Sequence, residues 1–352
     1  MAVVKANGYG HGAEAAARTA LKHGADRLAL ARIDEAVALR TAGIDTPMLV
    51  FGHTPPERAE DLLEHDLTQT VFSPEAARDL SDAAGALGRS VRVHLKVDTG
   101  MGRVGLLAVN GEDALREAED IIGLPGLDVE GIYTHFATAD SADKKPARKQ
   151  LSRFMAFTGA LRKRGLTIPI RHAANSAAVI DMPESHLEMV RPGISLYGLY
   201  PSDEVKKERI ALRPAMTLKA RIVQLKEVPE GYTISYGATY TAPAPTRIAT
   251  VPVGYADGFN RRLSNQGRMV VRGLRCPIVG RVCMDSTMID VTDVPDVRVG
   301  DEVAVFGGDA EDAVTVDEVA EMLGTINYEV VSTVMARAPR VYVESGRDGR
   351  NA

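Results

Sequence analysis

Residues 91–103 read Val91-Arg92-Val93-His94-Leu95-Lys96-Val97-Asp98-Thr99-Gly100-Met101-Gly102-Arg103. Side chains alternate across a β-strand, so Val91, Val93, Leu95 and Val97 share one face while Arg92, His94 and Lys96 share the other. In a parallel barrel the apolar face meets the surrounding helices, which sends the basic side chains into the barrel. That arrangement is costly unless anions or hydrogen-bond acceptors meet them there. Taken alone, the stretch also suits an edge strand with its basic face in water.

The chain on either side favours the barrel. Short β-branched runs at 2–4, 27–31, 47–51, 69–72, 129–135, 168–172 and 187–190 alternate with helical patterns. Leu151, Phe154, Met155, Thr158 and Leu161 recur at helix spacing, as do Ala114, Leu115, Ala118, Ile121 and Ile122. Gly24 and Gly43 stand where a glycine closes a helix. Eight strand–helix units in about 200 residues predict an α/β fold, a parallel (β/α)8 barrel of the TIM type over residues 1–205.

Beyond the polar stretch 202–209 the pattern changes. Strand-like runs at 216–228, 233–240, 246–253, 268–271, 277–283, 287–291 and 302–306, separated by Gly, Pro and Asp, predict a mostly antiparallel β domain over 206–352. One helix interrupts it: the capping box Thr315-x-x-Glu318 opens it, Val319, Met322 and Leu323 give its apolar face, and Gly324 ends it.

The 352 residues are 45% hydrophobic and 25% charged, the composition of a globular protein long enough for two domains. A net charge of -5 argues against general binding to nucleic acid or to an anionic membrane. No apolar run reaches the roughly 18 residues of a membrane span. The chain does not open with a basic segment and an apolar core, so the expected location is cytoplasmic. Cys276 and Cys283 form no CxxC pattern, and neither HExxH nor a Cys/His cluster occurs, so no disulfide framework and no metal are expected.

Strand ends at the mouth of a parallel barrel carry its chemistry. Val3-Val4-Lys5-Ala6-Asn7-Gly8-Tyr9-Gly10-His11-Gly12 ends the first strand on a lysine. Lysine forms Schiff bases with aldehydes such as pyridoxal phosphate, and the glycines let the chain turn sharply. Tyr133-Thr134-His135-Phe136-Ala137 and His172-Ala173-Ala174-Asn175-Ser176 end later strands, and Asn175 and Ser176 can offer hydroxyl, amide and N–H groups to a phosphate. Val190-Arg191-Pro192-Gly193-Ile194 ends the last strand with an arginine and a turn. In the β domain, Ser235-Tyr236-Gly237-Ala238-Thr239-Tyr240, Gly254-Tyr255-Ala256-Asp257-Gly258, Cys283-Met284-Asp285 and Ile326-Asn327-Tyr328-Glu329 hold tyrosines and a methionine on turns. Any one of these is commonplace, since turn tyrosines are usually amphipathic surface residues.

In this order and spacing, however, the motifs closely resemble the alanine racemase family of barrel-type, fold-type III pyridoxal-phosphate enzymes, from Val3 to about Val343. The resemblance implies that Lys5 holds pyridoxal 5′-phosphate and exchanges the α-proton on one face of L- or D-alanine, and that Tyr236 works on the other. In this family that tyrosine comes from the partner subunit, which implies a homodimer with composite sites. His135 resembles the histidine that hydrogen-bonds the tyrosine, and Arg191 the arginine that donates to the pyridine nitrogen. Tyr9, Ser176, Gly193, Ile194 and Tyr328 match the phosphate cradle, beside which Asn175 lies. Lys96 matches a lysine commonly carried as N6-carboxylysine, and Arg103 the arginine this carbamate orients. Met284 matches a residue beside the substrate carboxylate, and Tyr255 and Arg261 line the approach. The product D-alanine supplies peptidoglycan.

The residue types suit that chemistry. Racemisation removes a proton from one face of a planar carbanion and returns it on the other, so two bases must straddle the substrate. Lysine and tyrosine ordinarily ionise near pH 10, so nearby positive charge has to tune such bases downwards. An arginine at the pyridine nitrogen does not give up its proton, which keeps the ring unprotonated, a weaker electron sink, and disfavours transamination. A carbamate on Lys96 turns a cation into an anion that pairs with Arg103.

Against the family pattern, the chain opens at the lysine strand, roughly thirty residues short: either the start is placed at an internal Met, the favoured reading, or this variant lacks a helix beside the barrel and a strand of the β domain. Protein made from Met1 is expected to be less stable, with a barrel flank and a sheet edge uncovered. Gly8 stands where alanine is more usual. Two other readings compete: a broad-specificity amino-acid racemase or barrel-type decarboxylase using the same cofactor, and a non-catalytic pyridoxal-phosphate carrier. The carrier is a lone barrel, so a β domain bearing Tyr236, Tyr255 and Met284 favours the alanine racemase.

Overall fold

The computed structural model describes residues 1–308 and 310–343. The chain folds as two compact units, Met1–Gly8 with Ala13–Leu212, and Tyr9–Gly12 with the chain from Arg213 onward. In the first unit the alternation of 91–97 produces the expected sidedness. Val91, Val93, Leu95 and Val97 are buried in one large apolar core, together with Leu115 and Ile121 of the helix Glu112–Ile122 and Leu151, Phe154 and Leu161 of the helix Lys145–Lys163. Met155 faces outward from the latter helix.

The strands of this unit are β1 (Ala2–Val3), β2 (Leu28–Leu30), β3 (Met48–Val50), β4 (Leu67–Val71), β5 (Val91–Asp98), β6 (Leu106–Leu107), β7 (Leu127–Tyr133) and β8 (Ile170–His172). They run parallel in the order β1-β2-β3-β4-β5-β7-β8, with β6 paired to the end of β5. The run expected as a strand at 187–190 survives as a single parallel bridge between Met189 and His172. It still closes the ring: the Met1 amino group donates to the Val190 carbonyl at 3.1 Å, and the Val3 N–H to the Pro192 carbonyl at 3.1 Å. Pro192 has no N–H to continue a ladder, which cuts this last stave short.

The polar stretch 202–209 belongs to the barrel unit. Val205 is buried in the barrel's apolar core, the Lys206 N–H donates to Asp181 Oδ1 at 3.3 Å, and the Tyr200 hydroxyl donates to the Ile210 carbonyl at 2.7 Å. The division therefore falls between Leu212 and Arg213.

The turn after Lys5 is left-handed. Ala6 (φ 52°, ψ 51°), Asn7 (φ 54°, ψ 47°) and Gly8 (φ 60°, ψ 45°) follow one another in the αL region, and Tyr9 has φ 51°. Non-glycine residues held there cost roughly 1–2 kcal/mol each. Three hydrogen bonds hold the turn: Ala6 N–H to Glu35 Oε1 (2.6 Å), Gly8 N–H to the Val4 carbonyl (2.8 Å) and Ala13 N–H to Asn7 Oδ1 (2.9 Å).

In the second unit, β9 (Thr217–Arg221), β10 (Gln224–Val228), β11 (Thr233–Ile234), β12 (Tyr240–Thr241), β13 (Thr246–Val251), β14 (Arg268–Val271), β15 (Leu274–Pro277), β16 (Thr287–Asp290) and β17 (Glu302–Gly307) form antiparallel sheets ordered β15-β14-β17-β9, β10-β13-β16 and β11-β12. The expected run 216–228 is two strands in different sheets. The expected strand 233–240 pairs only at its ends, because Ser235 (φ 65°) throws the chain into a one-turn 3-10 helix at Tyr236–Ala238. The helix Val316–Leu323 keeps its expected start and stop, with Thr315 Oγ1 accepting from the Glu318 N–H at 3.0 Å and Gly324 left-handed (φ 68°), but the Glu318 carboxylate pairs with Arg275 at 3.0 Å in place of closing the expected capping box. A second helix, Asn327–Ser332, follows it. Residues 9–12 join this unit through Arg340, whose Nε and Nη2 donate to the Gly10 carbonyl at 3.1 and 2.9 Å. A Cβ at Gly10 (φ 81°) would lie 1.9 Å from the Val331 carbonyl oxygen.

Two substitutions in this one turn should act in opposite directions. Ala6→Gly relieves αL strain and is expected to raise stability by roughly 0.5–1 kcal/mol, read as a higher urea midpoint. Gly10→Ala adds strain and a backbone clash and is expected to cost about 2 kcal/mol or more. An Ala6→Gly protein no more stable than the parent would show that the turn stores no strain.

Candidate active site

In the barrel unit the carboxyl ends of β1, β5, β7, β8 and the 189–191 stave deliver Lys5, Lys96, His135, Asn175, Ser176 and Arg191 to one end. Arg191 is buried at 3% exposure. Its Nη1 donates to His172 Nδ1 at 2.9 Å, and its Nη2 to the carbonyls of Thr134 (2.8 Å) and Ala173 (3.1 Å), with His135 Nδ1 at 3.2 Å. Burial pushes this guanidinium down to about 10, still charged at neutrality. Tyr133 stacks on His172 with ring centroids 4.6 Å apart, and Arg191 lies 5.1 Å over the Tyr133 ring.

Lys96 is the anomaly of the interior. It is 2% exposed, and its Nζ has no hydrogen-bond partner among the described residues. It sits 4.6 Å over the Tyr133 ring. Burial, then the charges of Arg191 and Arg103, hold its amine well below the usual lysine range. Burial, then the Arg191 charge, likewise keep the His135 imidazole well below its ordinary value, so it is neutral. Arg92, at the start of the same strand face, reaches away to pair with Asp66 at 2.5 Å.

Arg103 is placed by a residue the sequence reading did not single out. The Asp98 carboxylate accepts from the N–H groups of Gly100 (2.8 Å), Met101 (2.9 Å), Gly102 (2.8 Å) and Arg103 (3.2 Å), which wraps the loop around one anion. Glu35 was missed too, although it holds the turn behind Lys5. Burial, then the Arg103 charge, lower the Lys5 amine, and Glu35 opposes them.

At the ends of β8 and the last stave, Ser176 Oγ accepts from the Gly193 N–H at 2.8 Å and lies 3.1 Å from Ser195 Oγ. Ile194 opens the 3-10 turn Ile194–Tyr197. The Asn175 side chain caps its own helix, accepting from the Ala178 N–H at 3.1 Å. Ser176, Gly193 and Ile194 thus share one hydroxyl- and amide-lined corner, with Asn175 at its edge.

The second unit gathers another set. Tyr236 is 70% exposed on its turn, where the Ser235 hydroxyl donates to the Arg281 carbonyl at 2.6 Å. The N–H groups of Tyr255 and Ala256 donate to the Cys283 and Met284 carbonyls at 3.0 Å each, so Tyr236, Tyr255 and Met284, all exposed, occupy interlaced turns. Tyr255 and Arg261 line a cavity of about 560 Å³ with Phe306 and Met335. Tyr9 and Tyr328 lie 6.1 Å apart, and burial pushes the Tyr9 phenol up to about 12.

Comparison with known proteins gives one answer. The family description "Alanine racemase, N-terminal domain" matches residues 1–201, and "Alanine racemase, C-terminal domain" matches 215–342. An alanine racemase of Desulfosudis oleivorans is 55% identical over 348 residues, covering 97% of this chain and 89% of that one. That of Methanococcus maripaludis is 51% identical over 343 residues, covering 97% and 91%. Among solved structures, the alanine racemase of Clostridium difficile 630 superposes with a TM-score of 0.93 at 43% identity, covering 98% of this chain and 88% of that one. An alanine racemase of Bacillus anthracis with bound L-Ala-P gives 0.91 at 39%, covering 98% and 88%.

The electrostatics of Lys5 carry a signed prediction. In competitive labelling with a small anhydride across pH, Lys5 should become reactive at lower pH than an exposed lysine. Glu35→Gln should move its midpoint lower still, and Arg103→Gln should move it up. Shifts of the opposite sign would mean that these charges do not govern the amine.

Proposed function

The chain belongs to the alanine racemase family, and from that premise we propose how its own residues interconvert L- and D-alanine. The observation that carries the reading is Arg191, a buried cation held by acceptors on β7 and β8, so that toward the barrel mouth it can act only as a donor.

The residues fit pyridoxal 5′-phosphate. Ser176, Gly193 and Ile194, with Asn175 beside them and Tyr9 and Tyr328, would hold its phosphate, Arg191 would donate to its ring nitrogen, and Lys5 would hold its aldehyde carbon. The bound cofactor supplies the electron sink that makes the α-proton of alanine acidic. Lys5 Nζ, with its lowered basicity, takes or returns that proton on one face. The Tyr236 hydroxyl does so on the other. Tyr236 is offered across a homodimer interface, a reading supported by its exposure on the single chain. Neutral His135 positions that hydroxyl. Arg103, near the cofactor's phenolate, and Met284, beside the substrate carboxylate, would bind the substrate, while Tyr255 and Arg261 line its approach. Arg191 keeps its proton, which holds the ring nitrogen unprotonated and limits the chemistry to proton exchange.

Lys96 acts as a carbamate. Its neutral Nζ adds carbon dioxide and releases one proton, and the new anion answers the charges of Arg103 and Arg191 that the bare amine leaves unmet. Among the described residues no helix is long and apolar enough to cross a membrane, and we place the enzyme in the cytoplasm, making D-alanine for peptidoglycan.

Purified protein with pyridoxal phosphate and L-alanine in heavy water should form α-deuterated D-alanine. Lys5→Ala should abolish this, and Tyr236→Phe should lower kcat roughly a hundredfold or more. Unchanged turnover in Tyr236→Phe would remove the second base. Isotopically labelled bicarbonate should give a carbamate carbon signal that is lost in Lys96→Arg, and its absence from the parent protein would leave the Lys96 amine unmodified.

A further inference from the structure

A continuous hydrogen-bonded chain runs through the barrel interior to Arg191. Glu130 Oε1 lies 3.1 Å from His94 Nε2, His94 Nδ1 lies 2.7 Å from His172 Nε2, and His172 Nδ1 lies 2.9 Å from Arg191 Nη1. At its far end Glu130 also accepts from Arg27 Nη1 (2.8 Å) and Thr68 Oγ1 (3.2 Å). Both imidazoles are fully buried.

The two ends fix every proton between them. Arg191 has only donors, so His172 Nδ1 must accept, and the His172 proton sits on Nε2. His94 Nδ1 must then accept from it, which puts the His94 proton on Nε2, facing a carboxylate that can only accept while ionised. The His94 hydrogen bond, supported by Arg27, holds that carboxyl near 2, and burial lowers both imidazoles, so each ring carries the one proton this order requires.

The backbone is shaped for this contact. Strand β7 bulges at Glu130: Val93 pairs with Val129, but His94 pairs with Gly131, leaving Glu130 unpaired in the ladder. Bulges re-aim a side chain, and here the carboxylate is turned to the His94 ring. A Cβ at residue 131 would lie 2.5 Å from that ring, so only glycine leaves room for it.

We propose that Glu130 and His94 are positioning residues for Arg191, holding His172 in the one tautomer that accepts from the guanidinium and thereby fixing how Arg191 presents its remaining N–H groups at the cofactor's ring nitrogen. This rests on the racemase reading of Arg191. The carboxylate at the far end polarises the chain away from the mouth, and each bond strengthens the next.

Nitrogen shifts of the two imidazoles in cofactor-free protein, with kcat and KM of the loaded enzyme, test it. The parent and Glu130→Gln, whose amide carbonyl still accepts, should show both rings protonated only on Nε2. Glu130→Ala should show mixed tautomers and lose kcat by about tenfold at unchanged KM, the low end of what loss of a histidine's outer partner costs in metal sites. Glu130→Gln should stay within about threefold of the parent, a neutral acceptor being the weaker one. The proposal falls if the parent's His172 carries its proton on Nδ1, or if an active enzyme keeps ordered tautomers and full kcat in Glu130→Ala. It falls also if Glu130→Gln loses as much kcat as Glu130→Ala with its tautomers still ordered, which is the mark of packing alone. A parent chain that does not racemise alanine would instead overturn the functional reading, and the role given to Arg191 with it.

Discussion

Arg191 carries a positive charge into a place that water does not reach, and an ion so buried costs several kcal/mol unless oriented dipoles replace its hydration. The carbonyls of Thr134 and Ala173 and a ring nitrogen of His172 supply them. Much of the barrel interior follows from that demand. His172 must be oriented, so Tyr133 stacks on it, and the Tyr133 hydroxyl is in turn tied to Thr70 at 3.0 Å. Thr68, Thr70, His94 and Lys96 fill space that layers of branched aliphatic side chains occupy in most barrels of this kind. The apolar core lies instead between the strands and the outer helices. Stability is thus concentrated outside the ring, and the inside is given over to electrostatics.

Part of this was legible in the sequence. The alternation of 91–97 identified both the apolar face and the basic one, because successive side chains of a strand face opposite sides and only the helix-facing side is apolar. The strand-end positions of Lys5, His135, Ser176 and Arg191 followed from the same pattern. What could not be read were the partners. Glu130 lies between Val129 and Gly131 in an ordinary strand, and only the slipped register against β5 reveals where its side chain goes. Asp98 looked like the end of a strand, yet it is the anion around which the Arg103 loop is wound. Long-range hydrogen bonding of this sort leaves no local periodicity.

In the second unit, short strands failed to declare themselves where backbone handedness, not hydropathy, decides the path. Ser235 has a β-compatible neighbourhood and a positive φ, and the resulting turn lifts Tyr236 clear of the sheet. The same holds behind Lys5, where alanine and asparagine adopt a conformation usually left to glycine. Strained backbone of this kind collects at functional positions, since only a surrounding that over-determines it can maintain it.

The hold of Arg340 on the Gly10 carbonyl has a bearing on biogenesis. The two residues are 330 positions apart. On a ribosome that builds the chain from its amino end, the Gly10 segment emerges 330 residues ahead of Arg340 and waits for it before it is secured. Closing so long a loop is entropically slow, and an early-emerging segment that lacks its partner stays open to mispairing meanwhile. A nascent chain arrested before residue 340 would therefore hold its lysine turn through Glu35 and Asn7 while the Gly10 segment after it still lacked its anchor.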